Sequence, residues 1–343
     1  MHGTSTDPTS ADAPSGWTPP DALRLGVFRF TLAPLEPLRL PAFDKGKVLR
    51  GGLGYALKNL VCIQADRLAC PPCKLGNLCP YGYIFETSPP EESEVLRTHD
   101  DVPHPFVLQP PLSRQTLYPP GELLQFELVL VGRGVRYLPY FIEAFRALAR
   151  SGMGTPRARA ELRTVEAVNP LTHQVTPVLG PEPDPGFSAD PTVSYREVEA
   201  HAATLPTDQL VLHFLTPARL KFDGRFVPPL FHVLVRALLR RISSLSYFHC
   251  GRRWETDFRG IIAAAERIQT RLGVQKVDRI RYSSRQQQQM NLAGFVGQAA
   301  YTGDLAPFRT VLALGELLHV GKSVAFGHGH YRIGGWRSQP DRE

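Results

Sequence analysis

Residues Leu318–Tyr331 read LHVGKSVAFGHGHY, and the rest of the chain is parsed outward from this stretch. An apolar helical pattern precedes it, Pro307 to His319, with Phe308, Val311, Leu312, Leu314, Leu317 and Leu318 on the helix. A short strand, Tyr331 to Ile333, follows. Gly321, Gly327 and Gly329 let the backbone come close to a ligand and turn amides outward, Lys322 adds a point charge and Ser323 a hydroxyl. The Gly-Lys-Ser is not a nucleotide-binding P-loop. The earlier glycine of that motif falls at Glu316, and a helix stands where a strand is required.

Upstream, Leu210 to Leu215 reads as a strand. Pro228-Pro229 opens a helix from Leu230 to about Ser244, and Val277 to Tyr282 and Leu292 to Tyr301 read as strands. The amino-terminal half runs in the same order. Leu23 to Leu32 is a strand, Val48 to Val61 a helix, Leu123 to Val131 a strand, Leu138 to Ala149 a helix and Ala158 to Val168 a closing strand. Pro177 to Pro191 is dense in Pro and Gly and reads as a linker. The expected fold is α+β, two tandem ferredoxin-like (RRM-like) βαββαβ domains. Residues 1–20 form a disordered tail, 21–200 the first domain and 201–343 the second; a cysteine-rich metal-binding insertion, 62–79, belongs to the first.

The chain has 343 residues and a net charge of +7. Residues 201–343 hold 20 Lys and Arg against 10 Asp and Glu, whereas residues 1–200 hold 19 against 22. The basic surplus therefore sits in the second half. Arg outnumbers Lys by 32 to 7, and guanidinium forks suit phosphate and stacked bases. Codon preference accounts for the Arg excess equally well, but not for the asymmetry between halves. No apolar run is long enough to span a membrane, and the start lacks the pattern of a secretory signal, so a cytoplasmic protein with no membrane partner is expected.

Four of the five cysteines, Cys62, Cys70, Cys73 and Cys79, fall within eighteen residues. Cys70-Pro71-Pro72-Cys73 is a tight chelating pair, and Gly76 and Asn77 permit the turn that brings Cys79 back. Four thiolates suit a structural zinc with no open position for catalysis. An iron–sulfur cluster uses the same ligands and is the less favoured alternative; reduced, packed thiols are another. His99 and His104, beside Asp100 and Asp101, are the other grouping with metal-ligand chemistry.

Gly-Lys-Ser-x-x-Phe-Gly-x-Gly-x-Tyr-Arg-Ile (321–333) after a Leu-rich helix resembles the terminal glycine-rich loop of the RAMP superfamily. More narrowly it resembles the CRISPR-associated endoribonucleases that process precursor crRNA. Leu49-Arg50-Gly51-Gly52-Leu53-Gly54, the Cys70–Glu86 stretch, and Tyr282-Ser283-Ser284-Arg285-Gln286 through Gly297 resemble further segments of that family, so the likeness spans roughly residues 22 to 336. It implies metal-independent cleavage of CRISPR repeat RNA. The 2′-hydroxyl attacks the adjacent phosphate, leaving a cyclic phosphate and a 5′-hydroxyl, with a base, a proton donor and a nearby cation assisting. The alternative is a non-catalytic RNA-binding subunit of a CRISPR effector complex, whose other subunits would then be partners.

The family often carries its catalytic histidine near the first helix, and Leu38 to Leu60 contains none. The candidates for the general base are therefore His249, then His319 and His328. Each has a structural or phosphate-contacting alternative. The candidate RNA contacts are Gly321, Lys322, Ser323, Gly327, Gly329, His330 and Tyr331 in the loop, Arg252, Arg253 and Arg285, and Lys47 and Arg50 by the first helix. Arg236, Arg240 and Arg241 lie on one side of a helix and read as a solvated face, with RNA phosphates as the alternative.

Overall fold

The computed structural model describes residues 22–64, 70, 73, 75–89, 102–180, 191–278, 280–283, 288–291 and 293–335. The expected tail, Arg285 and His99 lie outside the described residues.

In the first half β1 (Arg24–Pro34) is followed by α1 (Lys45–Val61), the short α2 (Pro80–Phe85), β2 (Phe106–Gln109), β3 (Leu124–Val131), α3 (Leu138–Ser151), β4 (Ala160–Val168) and β5 (Val175–Leu179). They form one antiparallel sheet in the order β2-β3-β1-β4-β5. β2 is only four residues long, without alternation, and was not apparent in the sequence pattern. β5 runs into the start of the stretch read as a linker. Pro177 is tolerated there because β5 is a sheet edge, where a missing N–H costs no ladder bond.

Alternation along the strands decides how the faces are used. Phe28 and Phe30 of β1 point toward the helices, and Phe30 packs on Phe126 and Phe145 with centroids 5.3 and 5.0 Å away. α3 presents Leu138, Phe141, Ala144, Phe145 and Leu148 to that face, a helical spacing, and stops at Gly152 with φ 89°. The opposite face is apolar as well. Val27, Val107, Val129 and Val168 form a buried cluster there, and Val324 of the glycine-rich loop completes it. The run Leu128–Val131 is thus buried on both faces. The second half of the chain is seated on the sheet of the first.

The second half has β6 (Thr192–Ser194), which pairs antiparallel with the start of β1, then α4 (Tyr195–Ala202), β7 (Gln209–Ala218), α5 (Phe231–Cys250), α6 (Phe258–Glu266), β8 (Gln269–Val277), β9 (Gly294–Thr302), α7 (Arg309–Leu318) and β10 (Tyr331–Gly334). Its antiparallel sheet runs β8-β9-β7-β10. Ser194 and Glu197 close α4 with a reciprocal capping box, and α4 packs in the second core with α7. α5 runs from Phe231 to Cys250, past the expected end near Ser244, and ends at Gly251 in the left-handed region. The strand expected from Val277 instead begins at Gln269; Ile280–Ser283 pairs with Gln288–Asn291 as a hairpin beyond it. In both halves a β-α-β-β-α-β succession gives the sheet order second, third, first, fourth.

Candidate nucleic-acid interface

The halves meet at a cleft of about 370 Å³. Arg50 of α1, the segment 102–106 before and into β2, the first strand of the short hairpin after β7 (Arg219 to Phe222), one side of α5 and residues 321–326 of the glycine-rich loop line it. Seven of its described lining residues are Arg or Lys and none is Asp or Glu. A concave wall of one sign focuses its field on an approaching polyanion. Arg236, Arg240 and Arg241, one turn apart on α5, all face this cleft, so they are an interface between halves and not merely a solvated helix side. Arg219 and Lys221 join them with no signal in the sequence.

Several of these cations are held in place. Arg219 donates from Nε to the Ala293 carbonyl at 3.1 Å and from its guanidinium to Ser323 Oγ at 2.6 Å, and burial lowers its pKa. Arg241 donates to the Leu318 carbonyl at 2.7 Å, and burial pushes its pKa down to about 10, still charged at neutral pH. Arg236 pairs with Glu266 at 2.9 Å. Arg50 lies 4.4 Å over the Phe326 ring of the loop and donates to His104 Nε2 at 3.1 Å. Lys221, Arg240 and Lys322 are exposed.

The glycine-rich loop divides in two. Gly321, Lys322 and Ser323 line the cleft, and Gly321 is needed because it runs at φ 87° against the Arg219 backbone. Gly327, Gly329, His330 and Tyr331 turn inward. A Cβ at Gly329 would overlap the Val320 carbonyl oxygen, and Tyr331 donates to the Leu312 carbonyl from full burial. These four hold the loop rather than line the cleft. Lys47 pairs with Asp44 at 2.9 Å and, like the exposed Arg252 and Arg253, lies away from the cleft lining.

The three histidines named as bases are interior. His249 is 0 % exposed; its Nε2–H donates to the Pro103 carbonyl at 2.7 Å and its Nδ1 accepts from the Tyr83 hydroxyl at 3.1 Å. Burial, with Arg133 and Arg241 adding repulsion, pushes its pKa down to about 4. His319, also 0 % exposed, donates from Nδ1 to the His328 carbonyl, accepts from Gln109 at 3.1 Å and stacks on His330 at 4.5 Å. Burial, then the neighbouring His330, holds it well below the usual histidine range. His328 is buried 3.3 Å from Asp44. All three couple one half to the other, through Pro103 and Tyr83, Gln109, and Asp44 respectively. None lines the cleft, and a general base must reach the proton it takes. The sequence shows that histidines are present but not which way they face.

Cys62, Cys70, Cys73 and Cys79 are all free and half-buried. Backbone bonds from Cys73 to Cys70 and from Gly76 to Cys73 make the expected turn, and burial raises the Cys70 thiol pKa. Among the described residues, however, no three His, Cys, Asp or Glu side chains come together to hold a metal ion. Cys70 lies close enough to Cys62 and Cys79 for their charges to interact, and these cysteines remain the residues that would hold the expected zinc or iron–sulfur group. His104 sits with Arg50 and aromatic rings, not in a ligand cluster. Among the described residues, no helix is long and apolar enough to cross a membrane.

Comparison with known proteins agrees with this architecture. Residues 212–331 match the family model for CRISPR-associated endoribonuclease Cas6, and residues 23–186 match the AF_1859_N model, an N-terminal domain. An uncharacterized protein of Archaeoglobus fulgidus is 23% identical over 303 residues, covering 86% of this chain and 92% of its own. The solved structure of Thermus thermophilus Cas6 superposes with a TM-score of 0.51 at 16% identity, over 91% of this chain and 98% of that one. A chain of a partial Cas6-RT-Cas1–Cas2 complex gives a TM-score of 0.58 at 11% identity, over 92% of this chain and 47% of that one.

Proposed function

We propose that this chain is a member of the CRISPR-associated Cas6/RAMP family, a metal-independent endoribonuclease that cuts CRISPR repeat RNA; the Cas6 family-model match over residues 212–331 and the shared fold support this reading. Its two halves are read as ferredoxin-like domains that hold the RNA between them. One observation carries the reading: the cleft between halves is walled by seven Arg and Lys, with no carboxylate among its described lining residues, and the exposed Lys322 stands on its rim. Such a wall neutralises a phosphate backbone and stabilises the dianionic phosphorane formed when a 2′-oxygen attacks. Lys322 and the fixed Arg219 are the cations assigned to that charge. The reaction needs no oxidant and no hydrolytic water, because the nucleophile is the RNA's own 2′-hydroxyl.

The test is incubation of the purified protein with a synthetic CRISPR repeat RNA in EDTA. The expected products carry a 2′,3′-cyclic phosphate and a 5′-hydroxyl, and a 2′-deoxy nucleotide at the scissile position abolishes them. Tight binding without cleavage would overturn the enzyme and leave the second reading, an RNA-binding subunit that retains guide RNA in an effector complex. The absence of a histidine from α1 is the observation favouring that second reading.

A further inference from the structure

We propose that His104 is the proton-accepting residue of this cleft, delivered from a loop of the first half to the place where α1 supplies only Arg50. The inference rests on the ribonuclease reading above and names the group that reading lacks. Of the described histidines His104 alone lines the cleft. It is half-buried, whereas His249, His319, His328 and His330 are at most 6 % exposed.

The ring is held on three sides. It stacks on Phe106 with centroids 5.5 Å apart and planes 11° apart, and it meets the Phe85 ring at 6.2 Å. Arg50 donates to its Nε2 at 3.1 Å. A guanidinium has donors only, so Nε2 carries the lone pair and the neutral ring keeps its proton on Nδ1. Neutral imidazole with an accepting Nε2 is the form a general base requires. The backbone is pinned one residue earlier, where the Pro103 carbonyl accepts from the buried His249, itself held by Tyr83. His249 is therefore a positioning residue that acts through the loop carrying His104.

Arg50 bridges the ring and the glycine-rich loop, through His104 on one side and the Phe326 face on the other. An arriving phosphate oxygen is a stronger acceptor than imidazole, so it draws the guanidinium from Nε2 and exposes the lone pair. The 2′-hydroxyl proton then passes to Nε2. The bond from the 2′-oxygen to phosphorus forms as the bond from phosphorus to the 5′-oxygen breaks. The leaving 5′-oxygen takes a proton from solvent, and the imidazolium returns its proton to solvent. No proton is gained or lost overall.

His104→Ala and His104→Gln test this in the full chain, with a fluorescently labelled synthetic repeat RNA. The expected result is a single-turnover cleavage rate at least about 100-fold lower, the usual range for a lost acid–base group. The Kd for the same RNA made uncleavable by a 2′-deoxy nucleotide stays within about threefold of the parent, so binding and chemistry separate. Added imidazole restores part of the rate to His104→Ala, which a purely structural role would not allow. Cleavage by both variants within about threefold of the parent overturns the assignment and leaves the ribonuclease reading standing. Lost cleavage with lost RNA affinity, or with no return of activity in imidazole, overturns it too. A parent protein that binds the repeat but never cuts it overturns both.

Discussion

Lys322 of the glycine-rich loop and Arg240 of α5 both line the cleft, and with Lys221 they are its exposed cations among the described residues. Replacing both with alanine removes two charges without opening a core. If each of the three exposed cations neutralises one phosphate of a single-stranded RNA, together they contribute a slope of about −2 to log K against log salt. They then account for roughly a 20-fold loss of affinity between about 50 and 200 mM salt. The double variant should shed about 1.4 of that slope, 0.7 for each lost contact, and bind more weakly at every salt concentration. Fluorescence anisotropy with a labelled repeat RNA over a salt series reads the slope directly. Circular dichroism should give an unchanged melting temperature, since neither side chain is buried. A slope that moves by less than about 0.3 would refute the placement of RNA in this cleft.

Three further outcomes follow from the packing between and within the halves. His249 and His330 have folded-state pKa values of about 4, both depressed chiefly by burial. Between about pH 6.5 and 4 the unfolded chain binds more protons, so stability is present above 6.5 and falls by about 1.4 kcal/mol per pH unit for each as pH drops through that window. Urea unfolding at a series of pH values checks this, and stability that rises on acidification contradicts it. Gly315→Ala in α7 should destabilise by about 1–3 kcal/mol: helix propensity favours alanine by about 1, but the new Cβ overlaps the Tyr331 hydroxyl and lies 2.6 Å from Leu238 Cδ2. A variant more stable than the parent in the same assay would show that Tyr331 does not lie where it is described. Tyr83→Phe removes the bond to His249 and should cost about 1 kcal/mol while lowering the cleavage rate through the Pro103–His104 loop, as measured by unfolding and single-turnover kinetics; an unchanged rate would uncouple His249 from the site.

Local pattern carried far along this chain. The alternation in Leu124–Val131, the helical spacing of Leu138, Phe141, Phe145 and Leu148, and the apolar run of α7 each mark their elements without reference to any partner. The strand Phe106–Gln109 did not, because four consecutive buried residues have no period to read. The cleft was legible only in part. The excess of Arg and Lys after residue 200 points to a polyanion, and Lys322 and Arg50 could be named from their motifs. Arg219 and Lys221, at the end of an unremarkable strand, could not.

Most strands and helices, and the charge of the second half, are legible in the chain alone, because periodicity and composition act within a few residues of each other. Which histidine reaches the cleft was settled only by the packing of the two halves. His249 carries an aromatic and basic neighbourhood in the sequence yet is enclosed by Tyr83 and Pro103, more than 140 positions away, while His104 reaches the cleft beside Arg50, 54 positions earlier. Burial and convergence of that kind depend on how two sheets are seated on one another, and no short window of residues contains that information.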